Sequence, residues 1–292
     1  MSQDTTLIRS RLLAHLHALV GERHPLSSLA RLHETEHYLR HQLSAAGCAV
    51  TTHEFQALGQ TYSNVIGTAR PLSAQEESTA PLIVAAHYDT VEGSPGADDN
   101  ASALAVLLEV AQKTRRMPLK RPVQFIAFCL EEENLLGSRA YTAHLAATQQ
   151  PISGVIVLEC VGYARHEEGS QKILPGIPIA VPTVGNFLAV IGNHNSASFT
   201  QTVSRAMAAH LSIVPLVVPG NGEVLPDTRR SDHTAFWEQG FPAVMVTDTA
   251  NFRNPHYHRP TDTIDTLNLD FIVSAADAVT AAVRAMAAVP DA

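Results

Sequence analysis

Acidic and imidazole side chains recur in this chain where apolar runs stop. PLIVAA runs into His87, Tyr88 and Asp89, and RPVQFIAFCL runs into Glu131, Glu132 and Glu133. GVIVL ends on Glu159, and FPAVMVT leads to a loop holding NPHYH, residues 254–258. Between the first two runs lies GADDN, residues 96–100. Imidazole nitrogen and carboxylate oxygen are ligands that Zn2+ takes at about 2.0–2.2 Å, with one position left open where the metal is catalytic. Two such ions about 3.5–4 Å apart need a shared ligand, and one carboxylate can give an oxygen to each. Two dications are balanced by three ligating carboxylates and a hydroxide, and two histidines complete a minimal set. Each residue has a blander reading alone. His87 reads as a satisfied core histidine, Asp89 as a turn residue, Glu131–Glu133 as a solvated patch or helix N-terminus, and Asp98 and Asp99 as N-caps. Glu159 resists that treatment, because a carboxylate ending a wholly apolar strand requires a partner.

The elements that must position these residues are legible in the hydrophobic pattern. Helical spacing covers about residues 5–20 and 28–46, and strand-like runs follow at 48–55, 62–69 and 81–90. Beyond them, helices at 101–116, 135–147, 196–210, 232–239 and 268–288 alternate with strands at 121–130, 154–159, 186–192, 212–218 and 241–247. PLIVAA is continuously apolar, as a strand covered on both faces must be. This alternation predicts an α/β fold, a three-layer α/β/α sandwich around a twisted, largely parallel mixed sheet. In such sheets ligand sites gather beyond the carboxyl ends of the strands, where the acids and histidines stand. No internal repeat or low-complexity linker appears, so one domain over 1–292 is expected, with a helical segment to about residue 47. Stretches 70–80 and 164–184 read as surface excursions.

Composition narrows the class. The chain has 292 residues, 45% hydrophobic and 16% charged, enough for a sizeable core. Its formal charge is −8, and no basic run exceeds two residues, which argues against a nucleic-acid partner. Cys48, Cys129 and Cys160 form no C-x-x-C, so buried free thiols are expected. The first 25 residues show no secretory h-region and no long apolar stretch follows, so neither membrane insertion nor secretion is expected and a cytoplasmic location is. Nothing in the pattern specifies an oligomeric state.

AHYDT, PGADDNASALAVLLE, EEENLLGS, LECVGY, RSDHTAFWEQGFPAV and NPHYHRPTDTIDTLN occur in that order from about residue 62 onward. Together they resemble the co-catalytic di-zinc exopeptidases, a family that includes bacterial aminopeptidases, glutamate carboxypeptidase and glutaminyl cyclases. The resemblance implies two Zn2+ per chain, with Co2+ or Mn2+ as substitutes, and a peptide substrate. It implies His87, Asp99 and Glu159 around one ion, with Asp99 bridging to a second held by Glu132 and His258. It further implies Asp89 as the carboxylate orienting His87, Glu131 as general base, and a cis peptide bond after Asp99. The family more often has aspartate where this chain has Glu159. Tyr163, Tyr257 and His233 all remain open as the oxyanion stabiliser.

The reaction expected is aminopeptidase hydrolysis, the substrate pocket being made by loops 161–184 and 219–230. Arg229 and Arg230 leave a second possibility open. As a bidentate pair they would bind a terminal carboxylate and favour a dipeptidase or carboxypeptidase; alternatively they pair with Asp227 or Asp232 in a structural network. A glutaminyl-cyclase-like acyltransferase and a non-catalytic binding protein are further alternatives that the resemblance permits.

HETEH, residues 33–37, is a literal H-E-x-x-H, the pattern of a different class of zinc protease. With 15 histidines in the chain, such a match arises by chance with a probability of roughly 4%. Leu29, Leu32, Leu39 and Leu43 form a stripe with charged residues on the other faces, which predicts an amphipathic surface helix. No third ligand follows at the expected spacing, so the metal is expected at the strand ends instead.

Overall fold

The computed structural model describes residues 3–71 and 73–289. Helices α1 (Gln3–Leu19) and α2 (Leu29–Ala45) precede the hairpin β1 (Ala49–Ala57) and β2 (Gln60–Ala69). After a single turn, α3 (Ala74–Glu77), the chain alternates: β3 (Leu82–His87), α4 (Ala103–Thr114), β4 (Val123–Phe128), α5 (Leu136–Ala147) and β5 (Gly154–Glu159). It continues with β6 (Leu188–Asn193), α6 (Ala197–Met207), β7 (Ile213–Val218), α7 (His233–Glu238), β8 (Ala243–Thr247) and α8 (Leu269–Ala287).

The eight strands form one mixed sheet in the order β1-β2-β4-β3-β5-β8-β6-β7. The central block β4-β3-β5-β8 is parallel throughout. Antiparallel pairing joins β2 to β4, β1 to β2 and β6 to β8, while β6 and β7 run parallel. Helices α1, α2, α4, α6 and α8 cover one face, and α5 and α7 the other. The fold is the expected α/β sandwich.

The unbroken apolar run of β3 has its reason in these two layers. Leu82, Val84 and Ala86 point into the core shared with α4 and α8. Ile83 and Ala85 point into the opposite core, among Tyr141, Phe236 and Trp237. Side chains alternate faces along a strand, so a strand covered on both sides must be apolar at every position. Helix α4 is buried from Ala103 to Ala111 without an exposed face, which accounts for its run of Ala, Leu and Val.

Arg23, in the connection between α1 and α2, is fully buried. Its guanidinium donates to the carbonyls of Leu19 (2.6 Å), Gly21 (2.7 Å), Tyr88 (2.8 Å), Pro95 (3.1 Å) and Gly96 (3.1 Å). A buried cation is tolerated only when so satisfied, and here it ties the N-terminal segment to the exit of β3. Burial lowers its pKa to about 10, so it remains charged at neutral pH.

HETEH lies on α2. Leu32, Thr35, Leu39 and Leu43 are buried, while His33, His37 and His41 are exposed and Glu34 pairs with Arg31 at 3.2 Å. Among the described residues no helix is long and apolar enough to cross a membrane.

Candidate metal centre

The four parallel strands deliver the site. His87 is the last residue of β3, Glu131 and Glu132 follow β4, Glu159 ends β5, and His258 lies on the loop after β8. Asp99 lies in the turn between β3 and α4. All six side chains meet in one cluster. His87 Nε2 lies 3.1 Å from Asp99 Oδ1, 3.4 Å from Glu159 Oε2 and 3.9 Å from Glu131 Oε2. His258 Nε2 lies 3.0 Å from Asp99 Oδ2 and 3.2 Å from Glu132 Oε2. Asp99 thus stands between the two imidazoles, one oxygen toward each.

These contacts are close but not aligned as hydrogen bonds. Nε2 of both histidines, both oxygens of Asp99 and Oε1 of Glu132 are buried without a hydrogen-bond partner among the described residues. Two overlapping groups, His87 with Glu131 and Glu159, and His87 with Asp99 and Glu132, bring ligand atoms within 4.8 Å of one another. Four carboxylates around two imidazoles, three of them on buried residues and Glu132 partly buried, need positive charge among them, from protons or from cations. The protonation tendencies express that need. Burial and the charge of Asp99 push Glu132 up to about 7, and burial pushes Glu131 well above the carboxylate range. Burial opposes a charged His258, yet contact with Asp99 and Glu132 raises it to about 10. Convergent, unpartnered N and O donors with this excess of negative charge fit divalent cations of the zinc type.

The scaffold beneath the cluster fixes the backbone rather than the ligands. Asp89, fully buried, accepts the N–H groups of Glu131 (3.0 Å) and Glu132 (3.1 Å). Its carboxylate is 3.6 Å from His87 Nδ1, whose nearer partner is the Asp89 main-chain carbonyl at 3.2 Å. Asp89 therefore holds the β4 loop as well as flanking the imidazole. Asp262 plays the matching part on the other side, accepting the N–H groups of Asp98 (3.0 Å) and Asp99 (3.1 Å). Asp98 is not an N-cap. It accepts the N–H of Gly162 (2.9 Å) and the side-chain amide of Asn254 (2.8 Å), joining three loops. The Asp99–Asn100 peptide bond is cis, and Asn100 binds the main chain at Leu158 and Cys160, the end of β5. Gly96 (φ 61°) opens this turn; a Cβ there would sit 2.3 Å from the Asp99 carbonyl oxygen and 2.7 Å from the Arg23 guanidinium. Glu159 Oε2 accepts the Ser231 hydroxyl at 2.8 Å. Asp262, Ser231 and Asn100 were not legible as site residues.

A cleft opens beside Glu159, lined by Tyr257, Arg230 and apolar residues including Ile177, Ile191 and Met245. Of the three oxyanion candidates, Tyr257 alone lines it. The Tyr257 ring stacks on His258 at 3.9 Å, and burial together with the charge of Asp99 raises its pKa. Tyr163 accepts from Arg165 at 3.0 Å, and His233 is committed to the Thr228 carbonyl (2.8 Å) and the Trp237 ring. The arginine pair does not act as a pair. Arg229 binds Glu238 (2.9 Å) and the Asn221 carbonyl (3.0 Å), whereas Arg230 faces the cleft, near Asp227, Asn251 and the Tyr257 hydroxyl.

Residues 64–283 match the model of Peptidase family M28. The chain belongs to that family. The uncharacterized protein YfbL of Escherichia coli (strain K12) is 32% identical over 272 residues, covering 88% of this chain and 81% of that one. Aminopeptidase YwaD of Bacillus subtilis (strain 168) is 32% identical over 234 residues, covering 77% of this chain and 44% of that protein. The solved structure of BSAP, a zinc aminopeptidase from Bacillus subtilis, superposes with a TM-score of 0.62 at 29% identity, over 80% of this chain and 52% of that one. In both Bacillus subtilis matches this M28 chain spans about half the length of the matched protein. The matched span begins at β2 and takes in every residue of the cluster.

Proposed function

We propose that this chain is a di-zinc aminopeptidase, hydrolysing the N-terminal peptide bond of peptides. One observation carries the reading: Asp99 presents an oxygen to each of His87 and His258, with Glu159 beside the first imidazole and Glu132 beside the second. His87, Asp99 and Glu159 would hold one Zn2+, and Asp99, Glu132 and His258 the other; Co2+ or Mn2+ suit the same donors. Cations so held supply a water of lowered pKa and polarise the scissile carbonyl.

The rest falls to the chain's own groups. Glu131 lies in the cluster, and burial raises its proton affinity, which strengthens it as a proton acceptor. It takes the proton of the attacking water and returns it to the leaving amine. Asp89 keeps it in place through the backbone of residues 131 and 132. The Tyr257 hydroxyl accepts from Arg230 at 3.3 Å, leaving its own proton to stabilise the oxyanion. The acid-rich cluster suits a substrate's free amine. Arg229, bound elsewhere, leaves no arginine pair for a terminal carboxylate, which weighs against a carboxypeptidase. The aminopeptidases among the relatives support the same choice.

The test is a peptide panel with free, N-blocked and carboxy-blocked ends, with metal content measured on the same sample. Cleavage of free and carboxy-blocked peptides, refusal of N-blocked ones and two ions per chain are expected. Cleavage of N-blocked peptides, or cyclisation of an N-terminal glutamine in place of hydrolysis, would overturn the assignment.

A further inference from the structure

Cys160 follows the ligand Glu159 directly, and strand alternation would aim its side chain away from the cluster. The chain breaks the alternation at that point. Cys160 has φ 50°, in the left-handed region, and its backbone is fixed on both sides. Its N–H donates to the Asn100 side chain at 3.0 Å, and its carbonyl accepts the Asp248 N–H at 2.7 Å. Its thiol therefore faces the same centre as Glu159. Cys160 is fully buried, and Sγ donates to Glu159 Oε1 at 3.2 Å. Sγ, an Asp99 oxygen and a Glu159 oxygen all lie within 4.8 Å of one another. Asp99 is 3% exposed, and neither of its oxygens has a hydrogen-bond partner among the described residues. Cys129, equally buried, differs: its thiol meets the Tyr88 phenol.

We propose that Cys160 is a thiolate ligand of the cation on the Glu159 side, giving that ion a set of His87, Asp99, Glu159 and Cys160. The inference rests on the metal-centre reading above and adds one donor to it. Coordination replaces the S–H proton, which leaves to solvent water, as metal binding by a thiol requires. The two positions then differ in character. The Glu159 position has four protein donors, one of them soft, and favours zinc or cadmium over manganese. The Glu132–His258 position has three hard or borderline donors and is the one left open for water and substrate.

X-ray absorption at the zinc edge of the wild-type, fully loaded protein tests this without any variant. One sulfur neighbour at about 2.3 Å for every two zinc ions is expected; a shell of nitrogen and oxygen alone overturns the proposal. Cobalt-substituted protein gives a second readout. A thiolate-to-cobalt charge-transfer band is expected in the wild type and in Cys129→Ser, and its loss in Cys160→Ser with the visible cobalt bands retained. Zinc-over-manganese preference should fall by roughly tenfold or more in Cys160→Ser. Visible cobalt bands without charge transfer in the wild type overturn the Cys160 ligand alone. Absence of any visible cobalt bands overturns the metal-centre reading and this proposal together.

Discussion

On α2, His33, His37 and His41 stand at successive turns with their side chains in water, and Glu34 pairs with Arg31 on the same helix. At the strand ends, His87 and His258 come from opposite parts of the chain and converge on one carboxylate, that of Asp99. Both regions own the ligand types zinc takes, and one of them owns the textual motif. The difference is preorganisation. A surface imidazole keeps its hydration and its rotamers, so each ligand must be ordered when an ion arrives. At the strand ends Asp89 and Asp262 fix the backbone that carries the donors, and the cluster's uncompensated negative charge favours a dication. Folding has ordered one set and left the other free.

The largest test of that contrast is Glu131→Gln. The substitution preserves shape and removes only a proton acceptor, so both ions should be retained while kcat falls by about 10²–10⁴. Metal analysis and steady-state kinetics on the same preparation measure the two parts. Retained turnover would remove Glu131 from the base role, and lost metal would make it a ligand.

Next in size is an acid sensitivity at the buried His233. Burial holds His233 down at about 4 against an ordinary 6.5. A depressed folded-state pKa means stability that is present above 6.5 and lost as pH falls through 4. The full shift corresponds to at most about 3 kcal/mol. His233→Gln, which cannot titrate, should therefore lose less stability than the wild type between neutral pH and pH 4 in urea or thermal melts. Parallel curves for the two proteins would show that His233 contributes no such term.

How far the sequence revealed this site follows from the same physics. The strands were legible because burial on both faces demands apolar residues at every position, as in Leu82–Ala86, and the ligands because they stop such runs. Glu159 stood out for that reason alone. Asp262 did not. Its role is to accept two main-chain N–H groups from residues 98 and 99, 164 residues away in the first case, and an aspartate between two threonines in a turn looks the same whether or not it does so. Arg229 and Arg230 were equally opaque, because neighbours of one residue type were sent in different directions by the short helical turn Pro226–Arg229. The 164–184 segment has no periodicity to read, though its Leu174, Ile177 and Val181 pack against a core of the sheet.

Asp262 supplies the intermediate test, since it is an organiser rather than a donor to the cluster. Asp262→Asn keeps the size but replaces one acceptor oxygen with a donor facing an N–H group. Roughly a 10–100-fold loss in metal affinity is expected, as for other residues that support ligands from behind. Competition with a chelator of known affinity measures it, and excess zinc should restore most of the activity. Activity lost beyond rescue by zinc would mean that Asp262 acts on the substrate or the reaction directly.

The smallest effect is expected where the motif is most explicit. In the double variant His33→Ala, His37→Ala, kcat/KM and the count of tightly held ions should not change measurably, because neither imidazole reaches the strand ends. Stability should rise slightly. Alanine is the better helix former by up to about 0.7 kcal/mol per residue, and both positions are exposed on α2, so no packing is lost in exchange. A gain approaching 1 kcal/mol would lift Tm by about 2–4 °C. The variant should lose only a weak surface metal site, seen as reduced retention on an immobilised-metal column. A loss of activity with the two tight ions still bound would connect α2 to catalysis. Loss of an ion would move the metal centre to the helix and overturn the strand-end assignment, so this near-silent substitution discriminates between the two regions directly.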